Sequence, residues 1–245
     1  MHMPTGMAFE TAAGIPEVRS RQKNNTRKKL GEIGLTEKQT YFTAIQALHL
    51  VGGMEKGQSV LIHAGASGVG QALIQVARQA GASKIWATAG TDEKCKLCKS
   101  LGADVVVNYR SEDFAEVVKK DTEGQGVNLI IDLVGRDYWA KNMDSASKDS
   151  KMVLVAAMSG SIIDNFNLRD LLNKRIWVLA TTLRTRDSTY QGKLRDKFVE
   201  LALGPLASGQ MKVTVDKVYP WTQISDAHKR MEANVNAGKI ICTVD

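Results

Sequence analysis

Cysteine is scarce in this chain, with three thiols in 245 residues. That excludes a disulfide-stapled scaffold and suits a reducing, cytoplasmic compartment. Long hydrophobic runs are missing too. No apolar stretch approaches the roughly 20 residues that span a bilayer, so no membrane partner is expected. The first ten residues have no charged head followed by an apolar stretch, so no secretory signal is expected either. Metal-ligand clusters are also absent. Cys95 and Cys98 form a lone CxxC with no second pair and no nearby histidine, inside an expected helix rather than at its start. They read as structural thiols, and no metal is expected. Spacing assembles no Ser-His-Asp set and no paired carboxylates, so no catalytic residue is named. His63 reads as a strand-packing residue, and His49 and His228 as helix residues without a visible partner.

What is present is ordinary globular material, 43% hydrophobic and 24% charged. The net charge of +7 invites a nucleic-acid or anionic-membrane reading. The charge is concentrated in one place. Residues 18–39 carry Arg19, Arg21, Lys23, Arg27, Lys28, Lys29 and Lys38 against only Glu32 and Glu37. The segment lacks the aromatic residues that would stack on bases. Nucleic-acid binding through it is therefore the weakest of the functional alternatives.

From residue 59 onward, short apolar runs alternate with helical patterns. Strands are expected at 59–65, 84–90, 105–109, 127–133, 152–157 and 176–182. Helices are expected at 69–80, 91–101 and 111–122, the last opened by Ser111 as N-cap. This is the signature of βαβ units in a doubly wound parallel α/β sheet, a Rossmann fold. The rhythm then breaks into a helix at 193–203, a strand at 212–218, a helix at 225–234 and a strand at 239–244. These pieces look like the chain's return to a second domain. The organisation expected is a linker and helix start (1–17), a basic disordered insert (18–39), a dinucleotide-binding domain (40–192) and a return segment (193–245).

The most informative local feature is the turn after the first strand, with Gly65, Ser67, Gly68, Val69 and Gly70. Glycines there allow a sharp strand-to-helix turn and a close backbone approach to a pyrophosphate at the helix N-terminus. The turn follows a strand and opens a helix, which is the context that gives such a motif meaning. The second strand ends in Thr88-Ala89-Gly90, without the acid that would bind a free ribose. Thr91, Lys94 and Tyr109 are instead suitable donors to a 2′-phosphate. The expected cofactor is NADPH, with Asp92 and Glu93 uncomfortably close to the same place.

Four stretches then carry a resemblance. They are His63-Ala-Gly-Ala-Ser-Gly-Val-Gly70, Asn108-Tyr109, Val127-Asn-Leu-Ile-Ile-Asp-Leu-Val-Gly135, and Met231-Glu-Ala-Asn followed by Gly238-Lys239-Ile240. The chain resembles the zinc-free quinone oxidoreductases of the medium-chain dehydrogenase/reductase superfamily, most of all the p53-inducible type. Tyr138-Trp139 and Leu183-Arg184-Thr185-Arg186-Asp187 are similar to that type as well. The resemblance implies hydride transfer from NADPH to a quinone, a GroES-like catalytic domain ahead of the Rossmann domain, and a homodimer through an edge strand at 176–182. It also implies site residues: the glycine turn for the pyrophosphate, with Leu133, Val134 and Gly135 on the adenosine side. Met158, Ser159, Leu183 and Arg184 would flank the nicotinamide.

The sequence departs from that family in two places. The likeness begins at the family's interdomain linker, so a missing N-terminal domain is expected. Residues 18–39 interrupt the family spacing between Glu17 and Thr40, and their removal restores it. Valine codons begin with GT and glutamine can be CAG, which suggests a translated, retained intron, with a genuine surface-loop insertion as the alternative. An NADPH-binding remnant without turnover is the alternative function that these departures raise.

Overall fold

The computed structural model describes residues 35–164 and 166–243. Helix α1 (Leu35–Ile45) runs on through a wider helical turn over Gln46–Val51. It begins inside the segment expected to be a disordered insert, whose residues 18–34 lie outside the described ones, as do residues 1–17. The helical start is a correction with a local cause. Leu35, Glu37, Lys38 and Gln39 all have high helix propensity, whereas the polarity of the stretch had pointed to a loop.

The sheet follows, with β1 (Ser59–Ile62), β2 (Lys84–Ala89), β3 (Val105–Asn108), β4 (Val127–Asp132), β5 (Ala146–Leu154) and β6 (Trp177–Ala180). All neighbouring strands are parallel, in the order β3-β2-β1-β4-β5-β6. This is the doubly wound order, which reverses between β1 and β4. Helices α2 (Gly68–Gln79), α3 (Asp92–Ser100), α4 (Phe114–Asp121), α5 (Trp139–Ser145) and α6 (Leu168–Lys174) make the crossovers. The two faces follow from the two-residue strand period. Val60 and Ile62 pair in register with Leu129 and Ile131 and point into one core. Leu61 and Ile130 point into the other, with Trp86, Phe114, Val118 and Met152.

Several boundaries differ from expectation. α4 is capped by Asp113, whose side chain accepts from the Ala115 amide, and not by Ser111. Asp113 directly precedes the first core residue of the helix, Phe114. Ser111 instead spends its hydroxyl on the Asn108 carbonyl. β5 begins at Ala146 and stops at Leu154, not at 152–157. Its start hid in the polar run Ser147-Lys148-Asp149-Ser150. Its expected end leaves the sheet as a loop pinned to the end of β4.

Helices α7 (Ser188–Phe198) and α8 (Gly204–Ala207) flank a wide turn at Val199–Leu203. Leu194, Phe198, Ala202, Leu203 and Met211 lie in the same core as the sheet. Phe198 meets Phe42 of α1 edge-on at 4.8 Å between ring centroids. Packing therefore continues across residue 193. The chain ends in a small parallel unit, β7 (Val215–Pro220), α9 (Ile224–Glu232) and β8 (Lys239–Thr243). Two buried glutamines one turn apart on α2 hold the approach to it. Gln75 accepts from the Lys212 amide at 3.0 Å and donates to its carbonyl at 2.9 Å. Gln71 accepts from the Thr214 amide at 3.3 Å. No helix among the described residues is long and apolar enough to cross a membrane.

Candidate functional site: a groove along the carboxyl ends of the sheet

The turn from β1 into α2 is tight for reasons that can be read atom by atom. Ala64 takes a left-handed conformation with φ +50°. Ser67 caps α2, its hydroxyl accepting from the Gly70 amide at 3.0 Å. A Cβ on Gly70 would collide with the Ala64 carbonyl oxygen and lie 2.7 Å from Gly65 Cα. A Cβ on Gly65 would press on Ala87 and on Cys98 Sγ, each at 3.0 Å. Gly70 and Gly65 thus bring the helix onto the strand. The amides of Gly68 and Val69 have no partner among the described residues, although Gly70 is capped and Gln71 bonds back to Ser67. Two free donors at a helix N-terminus suit an anion. Val69 itself is half-buried and packs on the core.

On the β2–β3 side, Thr91 and Lys94 line a cavity of about 450 Å³, together with Glu93, Arg110, Asn234 and Val235. Thr91 caps α3 by accepting from the Lys94 amide. The Lys94 ammonium donates to the Asn234 carbonyl at 2.7 Å and to its side-chain oxygen at 3.3 Å. Burial lowers the Lys94 pKa, and the Arg110 charge adds to the effect. Tyr109 does not line this cavity. Its hydroxyl lies over Gly90, where an added Cβ would stand 2.5 Å from it. Asp92 is turned away to accept from Asn108, while Glu93 stays at the cavity wall. Sequence reasoning missed Arg110, although it directly follows Tyr109. It also gave no role to Asn234, which entered only as the end of a family-like stretch.

On the β4–β5 side, two loops are stitched together. The Met158 amide donates to the Leu133 carbonyl at 3.3 Å, and the Ser159 amide to the Val134 carbonyl at 2.8 Å. Ser159 Oγ also donates to that carbonyl and accepts from the Asp137 amide. Gly135, at φ +89°, leaves no room for a Cβ beside the Gly160 carbonyl, 2.8 Å away. Leu133, Val134, Gly135, Met158 and Ser159 are therefore brought together, although the resemblance sets the first three on the adenosine side and the last two by the nicotinamide. Leu183 packs on the main core and Arg184 is exposed beyond β6. No hydrogen bond among the described residues joins these two to the stitched loops.

Beneath the switch point lies a buried polar chain. Asn142 donates from Nδ2 to Asp132 at 3.1 Å, so its oxygen faces His63. His63 Nε2 then carries the proton and donates to that oxygen at 2.7 Å, and Nδ1 accepts from Thr88 Oγ1 at 3.1 Å. Asp132 in turn accepts from the amides of Val134 and Gly135, at 2.7 and 3.1 Å. His63, Phe114 and Tyr138 form a triangle of rings, with centroids 4.8 Å, 4.7 Å and 4.9 Å apart. Burial lowers its pKa, against the opposing pull of Asp132 and Asn142. It packs in the core, as read from sequence, and its two hydrogen bonds also tether Thr88 to Asn142. Cys95 and Cys98 are free thiols, and burial pushes Cys98 up to about 12.

Residues 68–199 match the family described as zinc-binding dehydrogenase. The human quinone oxidoreductase is 30% identical over 205 residues, which is 82% of this chain and 59% of that protein. Quinone oxidoreductase 1 of Escherichia coli is 34% identical over 185 residues, 74% of this chain and 55% of that one. A solved E. coli quinone oxidoreductase, crystallised with NADPH, superposes with a TM-score of 0.71 at 30% identity, covering 82% of this chain and 62% of its own. The chain thus spans less than two thirds of the length of each of these relatives. The family's description mentions zinc, yet no group of three or more His, Cys, Asp or Glu among the described residues could hold a metal ion.

Proposed function

The chain belongs to the zinc-binding dehydrogenase family, in the quinone-oxidoreductase branch of the medium-chain dehydrogenase/reductase superfamily, and on that premise we propose that it is an NADPH-dependent quinone oxidoreductase. The observation that carries this reading is the glycine turn at the reversal of strand order, with its two free amides, beside a cavity lined by Thr91, Lys94 and Arg110. In open parallel sheets, ligands bind outside the carboxyl ends of the strands at such a reversal. Strands stand about 4.8 Å apart, so the six span roughly 24 Å, enough for an extended dinucleotide.

Each part of the groove then has a task. The turn holds the pyrophosphate. Lys94 and Arg110 supply cations to the 2′-phosphate, and Thr91 supplies a hydroxyl. Tyr109 closes the floor beside Gly90. Leu133, Val134 and Gly135, held by Asp132 and bonded to Met158 and Ser159, lie across the switch point from the 2′-phosphate cavity, so all five line the nicotinamide half, with Leu183 and Arg184 beyond them. Bound NADPH would supply the hydride, and a quinone would accept it. The edge strand β6, with Trp177 and Val178 exposed, is where the same reading puts a homodimer contact.

Titration of the chain with NADPH and NADH, followed by tryptophan fluorescence, tests the cofactor assignment. NADPH should bind more tightly, and Arg110→Ala should reduce its advantage about tenfold or more, the worth of one charge-assisted hydrogen bond. Equal affinities, or no binding, would refute the assignment. Oxidation of NADPH by a small ortho-quinone separates a reductase from a cofactor binder without turnover.

A further inference from the structure

The C-terminal unit lies on the glycine turn. The Gly238 amide donates to the Ala66 carbonyl at 2.9 Å, and Gly238 bridges Ser67 in parallel register. The next residue, Lys239, lays its side chain across Gly68. A Cβ on Gly68 would stand 2.7 Å from Lys239 Cε and 3.2 Å from Cδ. The ammonium, one bond beyond Cε, is therefore beside the first residue of α2. It makes no hydrogen bond or ion pair among the described residues. Desolvation lowers its pKa, with no carboxylate acting the other way. A lysine charge is ordinarily unfavourable at a helix N-terminus, where the dipole is already positive. Here its stem crosses Gly68, whose amide, like that of Val69, has no partner among the described residues.

We propose that Lys239 is the cation that binds the dinucleotide's pyrophosphate, so that the C-terminal unit forms the second wall of the cofactor groove. This deepens the cofactor reading above and rests on it. The pyrophosphate's charge removes the repulsion between the lysine and the helix dipole, and its oxygens accept from the free amides. Asn234 of the same unit already holds Lys94 at the other end of the groove. Both walls thus meet the cofactor from residues more than a hundred positions apart in the chain. A side chain at 68 would displace the lysine stem.

Lys239→Met tests this, since it keeps an apolar stem on Gly68 and removes only the charge. NADPH and NADH share the pyrophosphate, so both should weaken by the same factor, about tenfold to a hundredfold. Arg110→Ala should weaken NADPH alone. Inorganic pyrophosphate should compete with NADH in the parent chain and lose that ability in Lys239→Met, which gives a second readout. Thermal unfolding of the variant checks that the fold is kept. If the parent binds both cofactors and Lys239→Met binds them equally well, the proposal is overturned while the cofactor reading stands. A loss confined to NADPH would also overturn it, because it would place Lys239 at the 2′-phosphate. A parent chain that binds neither cofactor overturns the cofactor reading, and this proposal with it.

Discussion

Gly70→Ala sets two known effects against each other. Alanine is the better helix former, worth about 0.5–1 kcal/mol over glycine inside a helix. Gly70 sits in the first turn of α2, so propensity alone predicts stabilisation. The structure predicts the reverse. The new methyl would overlap the Ala64 carbonyl oxygen and stand 2.7 and 2.8 Å from Gly65 Cα and C. All of these are backbone atoms, so no rotamer change relieves the contact. Either α2 lifts from the turn or the turn opens. Lifting the helix disturbs Ala72, Leu73, Ile74 and Ala77, all fully buried. Overpacking of this kind costs about 1–3 kcal/mol and sometimes more. Taking the upper end and subtracting the propensity gain leaves a net loss of about 2 kcal/mol. For a chain of this size that is a fall in Tm of about 4–8 °C. Gly192→Ala is the matched control. Gly192 lies inside α7, and its added methyl would meet nothing within 4 Å. There the propensity term acts alone, and Tm should rise by about 2 °C. Thermal unfolding followed by circular dichroism reads both variants. A Gly70→Ala chain as stable as the parent, or a destabilised Gly192→Ala, would refute the packing argument.

Two further outcomes follow from buried groups. Burial depresses the His63 pKa in the folded state, so below the ordinary histidine pKa of about 6.5 the unfolded chain binds a proton that the folded one refuses. Stability should therefore fall as pH drops through that value. His63→Gln should flatten part of the decline, leaving the share due to His49, whose pKa burial also lowers; an unchanged acid slope would contradict this. Phe198→Ala should cost about 3–5 kcal/mol as a large buried aromatic. Because Phe198 packs on Phe42, hydrogen exchange should accelerate in α1 and β1 as well as after residue 193; protection lost only after 193 would mean that the tail packs independently.

The legible part of this molecule was the part encoded by near neighbours. The apolar runs of β1 and β4 and the glycine spacing of the turn between β1 and α2 all act within a few residues, and each is where local chemistry puts it. The start of β5 was missed for a long-range reason. β5 starts in a polar run because a parallel neighbour, Val127, pairs with Ala146 across the sheet, and no local hydrophobicity records that pairing. Met158 and Ser159 were assigned to the other end of the cofactor from Leu133 and Val134, although strand ends converge by topology, which the βαβ rhythm already implies. Asn234 and Lys239 had no such guide. Their positions depend on Gln71 and Gln75 offering side-chain amides to the backbone at residues 212–214, which brings the C-terminal unit onto α2. Two glutamines spaced one turn apart look like solvated helix residues until the backbone that they satisfy is seen. Sequence reading thus assigned roles only on the half of the groove built on the sheet. The half contributed by the returning chain rests on long-range hydrogen bonds, and periodicity carries no trace of those.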